Sequence, residues 1–264
     1  MMVNVLQNLG RMMLAGVDFA GRMFLFWADV IIKCVTPRFY FSEISKQLYA
    51  IGATSFLLTG TVAVSVGIVL AMQTIDTLEI FGATQYVSVV VGQAVVKEIG
   101  PVLTALLVAG RAGAGISAEI GSMRVTRQID AVTVSAVNPI RYLVVTRVLA
   151  CMMAVPLLTI TADVLGVLGG MMIGVLQGNI GLSLYLSYTI KYVGLKEIIP
   201  GLLKTIFFGM LVGTVASYYG FHATGGTEGV GKATKGSVVT ASLLIMIFDV
   251  IITRIFLWVF NTGI

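Results

Sequence analysis

Five apolar stretches, near residues 48–72, 87–109, 148–176, 200–220 and 237–260, leave this chain few ways to fold. A bilayer core of roughly 30 Å takes about 20 apolar residues per helix, and each stretch meets that length. Only 11% of the 264 residues are charged while 58% are hydrophobic, against about 25% charge in a soluble domain. Too little polar surface remains to cover a water-soluble globule, so the solvent is largely lipid. The reading is an all-α membrane protein with five transmembrane helices and no separate soluble domain. Cys34 and Cys151 are far apart and belong to no ligand-like cluster, so neither a disulfide nor a metal site is expected.

Lysine and arginine set the orientation. The N-terminal region holds Arg11, Arg22, Lys33, Arg38 and Lys46, the connection after the second stretch holds Arg111, Arg124, Arg127, Arg141 and Arg147, and that after the fourth holds Lys232 and Lys235. The opposite side offers only Lys191 and Lys196, with Asp76 and Glu79 in the 73–86 loop. The positive-inside tendency places the N-terminus and residues 110–147 in the cytoplasm and the C-terminus outside. It also accounts for the net charge of +5, which in a soluble protein would suggest nucleic acid; no nucleic-acid partner is expected.

Residues 1–36 lack the short apolar core and small-residue cleavage site of a signal peptide. Gln7, Arg11, Asp18, Arg22, Asp29 and Lys33 recur at spacings of 4, 7, 4, 7 and 4. On a 3.6-residue helix they form one polar stripe, with Val5, Leu9, Met12, Met13, Phe19, Phe24, Phe26 and Trp27 around it. Such a helix lies along the membrane interface, and Pro37 stops it; a sixth span with a buried stripe is the alternative. Gly166, Gly170, Gly174 and Gly178, and Gly209 with Gly213, recur every four residues, a spacing that lets helices approach closely in lipid. Internal packing is the expectation for these ladders, ahead of a dimer contact.

Residues 226–233, GTEGVGKA, nearly spell a phosphate-binding loop, but Ala233 stands where that loop needs a hydroxyl, and a spanning helix precedes it instead of a strand. The stretch reads as a flexible cytoplasmic turn. His222, the one histidine, has no evident carboxylate to orient it, so no hydrolytic triad forms. The chain is not read as an enzyme, and no bound cofactor is expected.

Charges inside the spans carry more information. Lys97 and Glu98 precede Gly100-Pro101, Asp163 lies in the third span, Lys204 in the fourth, and Asp249 and Arg254 in the fifth. Each costs a few kcal/mol at membrane depth unless it faces a partner or a wet cavity. Lys97 and Glu98 sit about 100° apart on a helix and do not pair with each other. Two readings stand: an ion-pair network between spans, or the polar rim of a cavity that accepts a charged headgroup. In residues 110–147, Glu119, Ser122, Thr126, Asp130 and Thr133 fall on one helical stripe beside Val125, Ile129, Val132 and Ala136, and Asn138-Pro139 ends the segment. A polar helix tied to spans at both ends can transmit a push from a soluble partner.

The run AGRAGAGISAEIGSMRVTRQIDAV, then NPIRYLVVTRVLA, with VVKEIGP before it and ATGGTEGVGKAT after it, closely resembles the MlaE/YrbE family of ABC-transporter permeases, which includes the permease of the chloroplast lipid importer. The likeness covers nearly the whole chain. It implies an interfacial helix at 1–36 and a permease transmembrane domain at 37–264, with a coupling helix at 118–136 between the second and third spans. It implies a homodimer in the bacterial inner membrane, driven by a cytoplasmic ABC ATPase that holds ATP and Mg²⁺, beneath a periplasmic MCE-domain protein and with a small accessory subunit on the ATPase. The implied substrate is a phospholipid or related lipid moved between inner and outer membranes. Residues matched to coupling are Glu119, Gly121, Arg124, Thr126, Arg127, Gln128 and Asp130. One departs from the family: relatives commonly carry Glu-Gln where this chain has Arg127-Gln128, so a carboxylate has become a guanidinium. The family's intramembrane glutamate falls on Glu98. Lipid-pocket residues are expected among Leu57, Leu58, Val62, Val66, Leu70, Lys97 and Glu98. The competing classes are an ion-coupled secondary transporter, which would show inverted repeats with matched broken helices, and a non-transporting membrane scaffold.

Overall fold

The computed structural model describes residues 2–36 and 40–261, without the side chains of 2–13, 15 and 259–261. Among these, ten α-helices and no strand are present: α1 Met2–Val35, α2 Phe41–Glu79, α3 Val87–Ala94, α4 Gly100–Val108, α5 Ala114–Val125, α6 Gln128–Val134, α7 Thr146–Leu176, α8 Leu182–Tyr192, α9 Leu195–Phe221 and α10 Gly226–Asn261. Short π-helical turns at Val95–Ile99 and Ala109–Gly113 join α3, α4 and α5 into one continuous rod. Five helices are long and apolar enough to cross a membrane: Phe41–Glu79, Thr84–Val125, Ile140–Leu176, Leu195–Phe221 and Gly226–Trp258. The five expected spans are all present, each longer than its apolar stretch.

The bundle is held by glycine notches, because lipid supplies no hydrophobic drive between helices and close van der Waals contact must take its place. α7 lies at the centre, packed on α2 and α9. A methyl group built on Gly67 of α2 would collide with the carbonyl of Gly166 in α7, and one on Gly209 of α9 would stand 2.5 Å from the carbonyl of Cys151. One on Gly213 would stand 2.8 Å from the Cα of Val148. Gly174 makes room for the ring of Tyr185, which is fully buried under α7. The ladders therefore serve packing within the chain. α10 is pinned along a single stripe in which Ala233, Ser237, Ala241 and Ile245 are buried.

In α1, Asp18 pairs with Arg22 at 2.6 Å and Asp29 with Lys33 at 2.5 Å, so the polar stripe neutralises itself one turn apart. Phe19 and Phe26 pack on Tyr218, and Phe26 also on Phe221 and His222, at the end of α9. Val30 is buried against Val144 and Val148, while Leu14, Val17, Phe24, Leu25 and Ile32 are exposed. That division suits a helix lying on the bundle with an apolar face left for lipid. The side chains of Gln7 and Arg11, and the whole of Pro37, fall outside what the structure describes.

Three local features differ from expectation. Residues 226–233 are the first turns of α10, not a flexible turn: Gly225 (φ 89°) and Gly226 (φ 70°) turn the chain, and Glu228 pairs with Lys232 at 2.7 Å. The connection after the third span contains α8, an eleven-residue helix whose Tyr188 stacks on Tyr86 at 5.9 Å. The coupling segment is not one helix over 118–136. It breaks at Thr126-Arg127, and the longer half belongs to the second span.

These notches predict a selective effect of small substitutions. Gly209→Val should lower the thermal stability of the detergent-solubilised protein by about 1–3 kcal/mol, the usual cost of overpacking. Gly52→Ala, where an added methyl meets nothing within 4 Å, should leave the melting curve in place.

Candidate functional site

Pro101 shapes the intramembrane site. It has no N–H to donate to the carbonyl of Lys97, four residues back, and the helix widens into the π-turn Val95–Ile99 just before it. Lys204 Nζ comes within 3.4 Å of that carbonyl oxygen. The same ammonium donates to Glu98 Oε2 at 2.7 Å, Asp249 Oδ1 at 3.1 Å and the Thr253 hydroxyl at 2.6 Å. Thr253 shares its own hydrogen between the Asp249 carbonyl at 2.8 Å and Glu98 Oε1 at 3.2 Å. The Lys204 side chain is 2% exposed, Asp249 17% and Glu98 42%. One buried cation thus draws three spans together, and one of its two carboxylates opens to the surroundings.

Lys97 and Glu98 do not pair. Lys97 reaches toward Glu197 at 3.9 Å, which in turn accepts the Gly194 N–H at 3.0 Å. Arg254 is exposed and outside the cluster. Asp249 and Thr253 lie four apart on α10, a spacing that puts both on one face; Thr253 was the member that the charges alone did not reveal.

The apolar candidates separate into two groups. Val62, Val66 and Leu70, with Thr61, Ser65 and Val69, line an open groove of about 390 Å³ along α2. Leu57 is 73% exposed and Leu58 half-buried on the same helix, outside that lining, and Lys97 and Glu98 belong to a different element. Thr61 and Ser65 turn their hydroxyls back to the carbonyls of Leu57 and Thr61, so the groove presents little free polarity.

At the far end of the second span, α5 stops at an elbow. Thr126 caps it by donating its hydroxyl to the Ser122 carbonyl at 2.8 Å, and Arg127 adopts a left-handed conformation (φ 59°, ψ 19°). A side chain there costs about 1–2 kcal/mol. Arg124 spans the elbow to Asp130 at 3.1 Å, and Ile129, 2% exposed, anchors α6 in the core. Thr126, Arg127, Gln128 and Asp130 are exposed, whereas Gly121 is buried 3.3 Å from Val230 if given a methyl. Glu119, its side chain 50% exposed, reaches Arg147 Nη2 at 2.8 Å, and that guanidinium, 3% exposed, also holds the Leu143 carbonyl. Gly121 therefore builds the segment, Glu119 ties it to the third span while staying half exposed, and the later residues form its free surface.

A bundle of five spans with one charged cluster at depth and an exposed elbow between the second and third defines a polytopic membrane protein. The family described as Permease MlaE matches residues 44–255, and the chain belongs to that family. A probable ABC transporter permease protein of Rickettsia bellii is 37% identical over 256 residues, covering 97% of this chain and 99% of the relative. The Haemophilus influenzae protein named intermembrane phospholipid transport system permease protein MlaE is 31% identical, covering 97% of this chain and 98% of that one. A probable ABC transporter permease protein of Synechocystis is 33% identical over 85% of each chain.

Removing one partner from a buried ion pair leaves an uncompensated charge and costs about 3–5 kcal/mol. Lys204→Met should lower thermal stability toward that range. Adding Glu98→Gln and Asp249→Asn to Lys204→Met should recover a large part of the loss; a triple variant as unstable as the single one would contradict the pairing.

Proposed function

We propose that this chain is the non-catalytic permease subunit of an ABC transporter that moves phospholipids or related lipids between the inner and outer membranes. The observation that carries the proposal is the rod formed by the second span, which runs from the Glu98–Lys204–Asp249 cluster to the exposed elbow at Arg127 without leaving helical geometry. A soluble ATPase seated on Thr126, Arg127, Gln128 and Asp130 would push on one end of that rod. The displacement would reach the spans that Lys204 ties together and change the opening beside α2. The names of the relatives support the lipid and the ATP-driven class.

In this reading the chain acts as a homodimer in a bacterial inner membrane, its N-terminus and elbow cytoplasmic and its C-terminus periplasmic. ATP and Mg²⁺ are held by the partner ATPase, which carries the small accessory subunit. A periplasmic MCE-domain protein receives or supplies the lipid. The groove of Val62, Val66 and Leu70 offers acyl chains an apolar track, and Glu98, the accessible carboxylate of the cluster, meets the headgroup.

Two substitutions test the two ends of the rod in the reconstituted complex. Glu98→Gln keeps the side-chain shape, so ATPase binding should be retained while ATP-dependent transfer of fluorescent phospholipid falls about tenfold or more; undiminished transfer would remove Glu98 from the lipid path. Arg127→Glu should weaken co-purification of the native ATPase, and unchanged association and ATPase activity would exclude a contact there.

A further inference from the structure

Asp163 stands apart from every other charge in the bundle. It sits in the middle of α7, 8% exposed, and among the described residues no donor reaches its carboxylate. Oδ1 is packed into the space a side chain on Gly100 would occupy, directly beside the π-turn. The carboxyl also lines a pocket of about 260 Å³ whose other walls are Val96, Ile160, Val164, Val167, Leu168 and Ile198. Ile160, Val164 and Leu168 are 44%, 54% and 45% exposed, so the pocket opens sideways from the bundle. It is separate from the groove on α2, which shares none of its residues.

A buried carboxyl without a partner costs free energy that a single donor would offset, and every other lining group is aliphatic. The opening is just under the roughly 300 Å³ at which pockets begin to enclose whole drug-sized ligands, so it fits one alkyl chain and a small head, not a complete phospholipid. We propose that this lateral pocket is a binding site for a single-chain amphiphile whose head donates a hydrogen bond to Asp163. The head is an amine or a hydroxyl, either of which satisfies the carboxyl with or without its proton; a plain alkyl end would leave it unsatisfied. The site does not depend on the transport reading, since it requires only a bilayer or detergent from which such an amphiphile can enter.

The test is photolabelling of the full-length protein in detergent with three ten-carbon probes carrying a terminal diazirine: decylamine, decanol and the unsubstituted decyl chain. Label should map by peptide mass spectrometry to residues 160–168 and to Val96 or Ile198 with the amine or the alcohol, and the stronger of the two identifies the head. The unsubstituted chain should label these positions about tenfold less, the upper range for one hydrogen bond. Asp163→Leu should remove the preference for donors, while Asp163→Asn, whose carbonyl still accepts, should keep labelling by the alcohol. Ile160→Phe, which fills the pocket without touching the acid, should suppress all three probes. Equal labelling by the unsubstituted chain and the donors in the native protein, or a donor preference that survives Asp163→Leu with an unchanged elution profile, would overturn the proposal.

Discussion

A lysine in the middle of an apolar bundle cannot be left alone, and the arrangement of the spans follows from how Lys204 is satisfied. Its three hydrogens go to Glu98, Asp249 and Thr253, which fixes the rotation of the second and fifth spans against the fourth. Hydrophobic contact could not do this, because lipid is as apolar as the side chains it would replace. Glycine notches set how near the helices come, and the ammonium sets which faces meet. Pro101 belongs to the same constraint, since the carbonyl it cannot serve is the one that Lys204 approaches.

The second span then has two roles along one length. Near its middle it carries Glu98 into the cluster. At its end it is held by Glu119 on the buried Arg147 and turned by the left-handed Arg127. Arg124 and Asp130 brace that turn, so a force applied to the exposed residues would be passed to the helix instead of being absorbed in a loop. In the proposed function, the partner ATPase is what such a lever works against, and the cluster holds the spans it would move.

Much of this was legible in the residues. Apolar length gave the five spans, and four-residue spacing gave both the stripe of α1 and the internal glycine ladders. The charges at 98, 204 and 249 could be named as intramembrane groups, but choosing between a network and a cavity rim required knowing which faces met, and no periodicity encodes that. The structure holds the network, with Lys204 saturated, and leaves Glu98 with an open side. The break at Arg127 was hidden because arginine is not a residue that announces positive φ; only glycine or asparagine would have flagged it. Arg147 counted as a cytoplasmic charge, yet its guanidinium is buried on Glu119. α8 was missed because eleven residues between two spans look like a loop when only transmembrane length is being weighed.

Coupling between the elbow and the cluster requires the second span to move as a rod despite its two π-turns. The direct measurement is the distance between spin labels at Val90 and Ser122, both exposed, in the protein with its native cysteines replaced and the partner ATPase bound. At about 1.5 Å per residue the pair should lie about 48 Å apart, with one narrow distribution that is the same before and after ATP binding. A shift of several ångströms, or a second population appearing with ATP, would show that the π-turns act as hinges and that the elbow does not drive the cluster.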